Sequence, residues 1–202
     1  MEYLDRRGNE LHGRERRFQT LTSLGTADRV ALTDEQCAHA VETMRDYYRE
    51  GKPVYGWFRG LDRVARAMGL RYDRGDVAHL DLSQEATSPT WSNLRKSSPA
   101  EFEALRSNDL PFLRWELETF PIEVLICNGR TVYEELCDLV SGVTVEQGDL
   151  KRIRWYAGRA KLSGRDVWVV GWNLPLSRPT GLGQVGEAEL GRLLASRFQG
   201  NS

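Results

Sequence analysis

Apolar residues recur along this chain at two periods, and the switches between them mark out its elements. At Thr33, TDEQ forms a capping box in which Thr33 caps and Gln36 reaches back. Cys37, Val41, Met44 and Tyr48 continue at helical spacing until Gly51 and Pro53 end the run. A second helix is expected with Phe58, Leu61, Val64, Ala65 and Met68 on one face and a stop at Gly69. DVAHLDLS, residues 76–83, alternates polar and apolar positions and predicts a strand. After a polar loop, Ser98-Pro99-Ala100-Glu101 supplies a serine cap, a proline in the first turn and a glutamate at the capping-box position. Leu113, Leu117 and Phe120 suggest one more helix before Pro121.

The second half alternates more sharply. IEVLICNG predicts a short buried strand with a polar end at Asn128, running into the helical pattern RTVYEELCDLV. IRWYAGRAKL and DVWVVGWN, separated by SGR, predict two strands. Glu187 to Phe198 predicts a closing amphipathic helix, acidic at its start and with Arg197 in its last turn, as the helix dipole favours. Strands alternating with helices imply an α/β fold, a three-layer α/β/α sandwich around a central, mainly parallel four-stranded sheet. At 202 residues the chain is expected to form one domain, 1–202, with 1–32 as an irregular N-terminal segment.

Composition narrows the classes. The 28 basic and 29 acidic side chains nearly cancel, so no global basic field advertises nucleic acid and any such contact needs a local patch. Arg14, Arg16 and Arg17 form one cluster and Lys151, Arg152 and Arg154 another; each taken alone reads as solvated surface charge. Cys37, Cys127 and Cys137 are far apart, lack zinc spacing and suit a reducing compartment, with Cys127 a small filler in a buried strand. MEYLDRRGNE is charged and lacks the apolar segment of a signal peptide, and no apolar run approaches the roughly 20 residues of a membrane helix. The expectation is a cytoplasmic protein without membrane attachment.

In parallel α/β sheets ligands sit beyond the carboxyl ends of the strands. Those ends are Asp81, Ser83, Gln84 and Thr87; then Asn128; then Trp172, Asn173 and the LPLSRPTG loop. They are expected to meet around one cleft. Alternation puts His79, Asp81 and Ser83 on one face, but no third ligand accompanies them and no metal is expected. A carboxylate such as Asp81 near a strand end is costly unless paired, hydrated or used, so catalysis, a helix cap and an arginine pair stay open for it. Asn128 before Gly129 serves equally as a turn former. G-x-S-x-G, GxxxxGK[ST] and the dinucleotide fingerprint are all missing, which disfavours hydrolase triads, P-loop enzymes and dehydrogenases and leaves no cofactor expected. Trp91, Trp155, Trp168 and Trp172 are base-stacking candidates, since aromatics near strand ends can stack on bases, although such residues more commonly pack a core or a helix.

LPLSRPTGLG resembles the second signature loop of the uracil-DNA glycosylase superfamily, a histidine-containing HPSPLS stretch with a glycine-rich tail. Pro175, Leu176 and Ser177 match its PLS portion, and Gly181 and Gly183 its tail. EVLICNGRTVYEEL resembles the family's penultimate strand, HLDLSQEATSPTW the strand whose end holds base-reading residues, and YGWFRGLDRVARAMG the helix before it; in consistent order these cover roughly residues 55–198. Two departures stand out. The family's first motif, a strand ending in a G-x-D/N-P loop, is hard to find; LDRRGNELHGRERRF resembles the segment downstream of that motif, and GKPVYGWF is a poorer match for the loop itself. Where the family carries its catalytic histidine, this chain has Trp172 or Asn173.

The resemblance implies a uracil-DNA glycosylase-like fold and a DNA-repair-type glycosylase, or a DNA-binding relative, that flips a base and hydrolyses its N-glycosidic bond if active. On it, Asn173 and Asp81 are the catalytic candidates, Gln84, Thr87, Asn128 and Trp172 contact the base, and Ser177, Arg178 and Gly181 meet the DNA backbone. DNA binding would need basic residues such as Arg152, Arg154, Arg159, Lys161 and Arg178 gathered on one rim. The competing classes are a non-catalytic nucleotide- or small-ligand-binding domain and a protein-interaction module.

Overall fold

The computed structural model describes residues 19–27, 31–45, 47–48, 56–82, 91–176 and 181–199. Helix α1 spans Asp34–Arg45. Its capping box is reciprocal: the Thr33 amide donates to Gln36 Oε1 at 2.8 Å, and the Gln36 amide to Thr33 Oγ1 at 3.2 Å. A 3-10 turn, Gly56–Phe58, leads into α2, Arg59–Ala67, which buries the Leu61, Val64 and Ala65 face. Next along the chain come α3 (Trp91–Ser97), α4 (Pro99–Thr119), β1 (Val124–Asn128), α5 (Arg130–Cys137), β2 (Ser141–Leu150), β3 (Ile153–Leu162), β4 (Arg165–Trp172) and α6 (Gly183–Gln199).

These strands form one four-stranded sheet in the order β1-β4-β3-β2. β1 and β4 pair in parallel, whereas β4–β3 and β3–β2 are antiparallel. The fold is therefore α/β with a mixed open sheet, in place of the mainly parallel one expected. The reason is local. Ser163 and Gly164 both have positive φ, 48° and 82°, which suits the tight turn that joins β3 to β4 as a hairpin. Lys151, at φ 55°, lies in the turn between β2 and β3.

Side-chain alternation sends two apolar clusters to opposite faces. Val124, Ile126, Trp155, Ala157, Val170 and Trp172 join α2 and α6 on one face. On the other, Leu125, Cys127, Tyr156, Val167 and Val169 join Leu113 and Leu117 of α4 and Leu136 of α5. α2 and α6 approach closely because Gly191 presents no side chain: a Cβ there would lie 2.4 Å from the Val64 carbonyl oxygen.

Three further expectations are corrected. Residues 76–82 form no strand; Val77 packs on one cluster and Leu80 and Leu82 on the other, but no ladder takes their backbone among the described residues. Asp76 instead turns back, accepting the Arg71 amide at 3.0 Å. The fourth strand is β2, which the pattern did not single out. The two helices expected around 98–120 are one 21-residue helix that runs through Pro111. Finally, α6 begins at Gly183, a turn earlier than its apolar spacing suggested. Among the described residues no helix is long and apolar enough to cross a membrane.

Candidate functional site

Register places Asn128 opposite Trp172 at the carboxyl ends of β1 and β4. The Asn128 Oδ1 atom accepts the Trp172 indole N–H and the Leu176 amide, each at 3.0 Å. The Gly129 amide donates to the Trp172 carbonyl at 3.0 Å and the Arg130 amide to the Asn173 carbonyl at 3.1 Å, extending the strand pairing into the loops. Asn173 is bound on its other side as well: its amide donates to the Arg154 carbonyl, and its Oδ1 accepts the Arg154 amide, both at 3.0 Å. Because Oδ1 must face that N–H, the carboxamide orientation is set and Nδ2 is the group left for a ligand.

The loop that leaves this junction is packed from below. Gly129 has φ +116°, and a Cβ there would lie 3.0 Å from Pro175 Cγ; a Cβ at Gly60 would lie 3.0 Å from that of buried Leu176. Glu187, itself buried, pairs with Arg63 and fixes α6 to α2 beneath Leu176.

Two of the three expected polar tips thus meet, those after β1 and β4. Trp172 is 0 % exposed, so it supports the junction from inside and offers a substrate no surface. Asn128 is the brace that holds it. Asp81 belongs to a different set of groups: its Oδ1 lies 3.2 Å from His79 Nε2, and its charge, after desolvation, is the second cause that raises the Glu116 carboxyl of α4 above the usual range. His79 in turn stands edge-on to Phe58 at 4.9 Å and to Trp57 at 5.4 Å. Trp57 is exposed, and sequence reasoning passed over it because its neighbour Phe58 already explained the helix start. Gly181 is exposed at φ +73°, just ahead of α6. Ser83, Gln84, Thr87, Ser177 and Arg178 lie outside the described residues.

Charge obeys the same geometry. Trp155 pairs with Trp172, so the β2–β3 turn reaches the end of the sheet where β1 and β4 finish. That end carries Lys151 and Arg152 in the turn, Arg154 beside Asn173, and Arg130 at the start of α5. Arg130 pairs with Glu134 at 2.6 Å and Arg154 with Asp149 at 3.2 Å, both well exposed. Arg159 and Lys161 do not join this rim; they lie farther back on β3, against Trp168 and Asp166.

Burial first and the charge of Cys137 second, opposed by the Tyr156 hydroxyl, push the Cys127 thiol up to about 12, so this thiol stays protonated. Among the described residues no group of His, Cys, Asp or Glu is placed to hold a metal ion. Comparison with family models, with curated proteins and with solved structures finds no match.

Proposed function

We propose that the protein binds DNA at the carboxyl end of the β1–β4 pair, as a DNA-repair-type glycosylase or as a non-catalytic relative of that uracil-DNA glycosylase-like class. The observation that carries this reading is the gathering of Arg130, Lys151, Arg152 and Arg154 around a braced loop base at the one end of the sheet where two parallel strands finish. Ligands favour that end in α/β folds, and phosphates favour such a cationic rim.

On this reading one nucleotide leaves the duplex at a cost of a few kcal/mol and enters beside the junction. The Asn173 Nδ2 group donates a hydrogen bond to the departing base; an uncharged donor stabilises an anion less than a histidinium does, so turnover is slow. By the resemblance, Gln84 and Thr87 contact the base and Ser177 and Arg178 the backbone, while Asp81, paired with His79, is not among the groups that meet at the junction and carries no step there. Asn128 and Trp172 act by holding the loop.

The test is binding to duplexes with and without uracil across a salt series, then glycosylase assays on uracil-, hypoxanthine- and alkyl-containing oligonucleotides. DNA binding should weaken linearly in log[salt], and neutralising Arg152 and Arg154 together should lower that slope by about 2. A flat salt response would reject the DNA reading, and binding without base release would leave the non-catalytic relative.

A further inference from the structure

A second site lies on the sheet face, set back from the strand ends. Thr144, Arg159 and Trp168 stand side by side across β2, β3 and β4, because Thr144 pairs with Arg159 and Arg159 with Trp168. With Glu146 and with Ser196 and Arg197 of α6, they line an open groove of about 560 Å³. The row depends on a glycine. A Cβ at position 158 would lie 1.8 Å from the Thr144 carbonyl oxygen, so only Gly158 lets β2 come close beside its bulge.

The charges in and around the groove are mostly matched. Arg197 pairs with Glu146 at 3.0 Å and leans over Trp155, and Lys161 pairs with Asp166 at 2.8 Å. Arg159 differs. Its guanidinium carbon lies 4.5 Å above the Trp168 ring, and among the described residues no carboxylate reaches ion-pair distance of it; Asp166 feels it only as a secondary charge behind Lys161. A stacked guanidinium keeps its planar fork of N–H donors at the edge, already oriented. The Ser196 hydroxyl donates to the Leu193 carbonyl and adds no donor, whereas the Thr144 hydroxyl stands beside Arg159 and can contribute one.

We infer that this groove binds a phosphate group, with two oxygens on the Arg159 fork and a third on Thr144. The two oxygens of a carboxylate on the fork lie in the guanidinium plane, whereas a tetrahedral phosphate carries a further oxygen out of that plane for the hydroxyl. The group can come from a free mononucleotide or from a nucleic-acid backbone. The site is separate from the β1–β4 rim and does not depend on the function proposed for it.

Titration of the full chain with inorganic phosphate, AMP, a short DNA duplex and acetate, monitored by calorimetry and tryptophan fluorescence, tests this. Phosphate or AMP should bind, Arg159→Gln should weaken that binding by about tenfold, and Trp168→Phe should remove the fluorescence response. Thermal melts of both variants confirm that they fold. If only the duplex binds and Arg159→Gln weakens it, the source is a nucleic-acid backbone and the site stands. Equal binding of acetate and phosphate, identical titration of wild type and Arg159→Gln, or no binding by any probe would overturn it.

Discussion

The carboxamide oxygen of Asn128 and the indole N–H of Trp172 meet at 3.0 Å across the only parallel pairing among the described strands. Trp172 is fully buried, so this bond decides whether a polar atom in the core is satisfied. The same oxygen holds the Leu176 amide, which links core stability to the start of the serine–arginine loop.

Replacing Asn128 with alanine should therefore cost about 2 kcal/mol, since two donors lose their acceptor. Trp172→Phe removes one of those donors, and a double-mutant cycle between the sites should show a coupling of about 1 kcal/mol. Urea unfolding measures both. Additive losses would mean that the bond contributes nothing.

Pro111→Ala should stabilise the protein. Pro111 sits inside α4 with its side chain exposed, and it lacks the N–H that an interior helical residue donates. Restoring that donor in a residue of high helical propensity should raise unfolding free energy by about 1 kcal/mol. A lower melting temperature for the variant would show that the proline is needed to shape the helix.

Glu116 should make stability fall as pH rises. Desolvation first, and the Asp81 charge second, raise its carboxyl above the usual range, and its Oε2 is buried without a partner among the described residues. A raised folded-state value gives a contribution fully present below the unfolded value and lost as pH rises through the folded one. Glu116→Gln escapes that loss, so its advantage over wild type should be absent at acid pH and grow towards neutrality. Parallel stability curves for the two proteins would contradict this.

Gly171→Ala should be among the most damaging small substitutions. Its Cβ would lie 2.5 Å from the Cys127 carbonyl oxygen and 2.6 Å from the Tyr156 hydroxyl, so β1 and β3 would both have to yield. A cost of about 3 kcal/mol is expected by chemical denaturation. Gly56→Ala is the control: nothing lies within 4 Å of the added atom, and the change should stay within about 0.5 kcal/mol.

Elements with local signals were legible in the sequence. Thr33 and Gln36 cap each other, Pro99 opens a helix, and the strands ending at Asn128 and Trp172 stop there. β2 was hidden because Glu146, Gln147, Gly148 and Asp149 are poor strand formers. It is held by its partner: Trp155 lies across Gly148, where an added Cβ would come within 2.7 Å of the ring. Pro111 invited a break that the packing of Leu113 and Leu117 overrode. At the site, Asn128 and Asn173 could be flagged as polar ends, but their bonds depend on register between strands far apart in the chain. Residues 76–82 alternate as a strand would, and alternation alone cannot supply a neighbouring backbone.

The outermost position of β2 among the described strands has a consequence for behaviour in concentrated solution. A free strand rim is a template on which another chain can polymerise, and this one is spoiled twice. Its register breaks between Ser141 and Thr144, and Glu146 and Asp149 keep charge along it. A flat, apolar rim would invite fibres; an irregular one that carries charged pairs keeps neighbouring molecules apart.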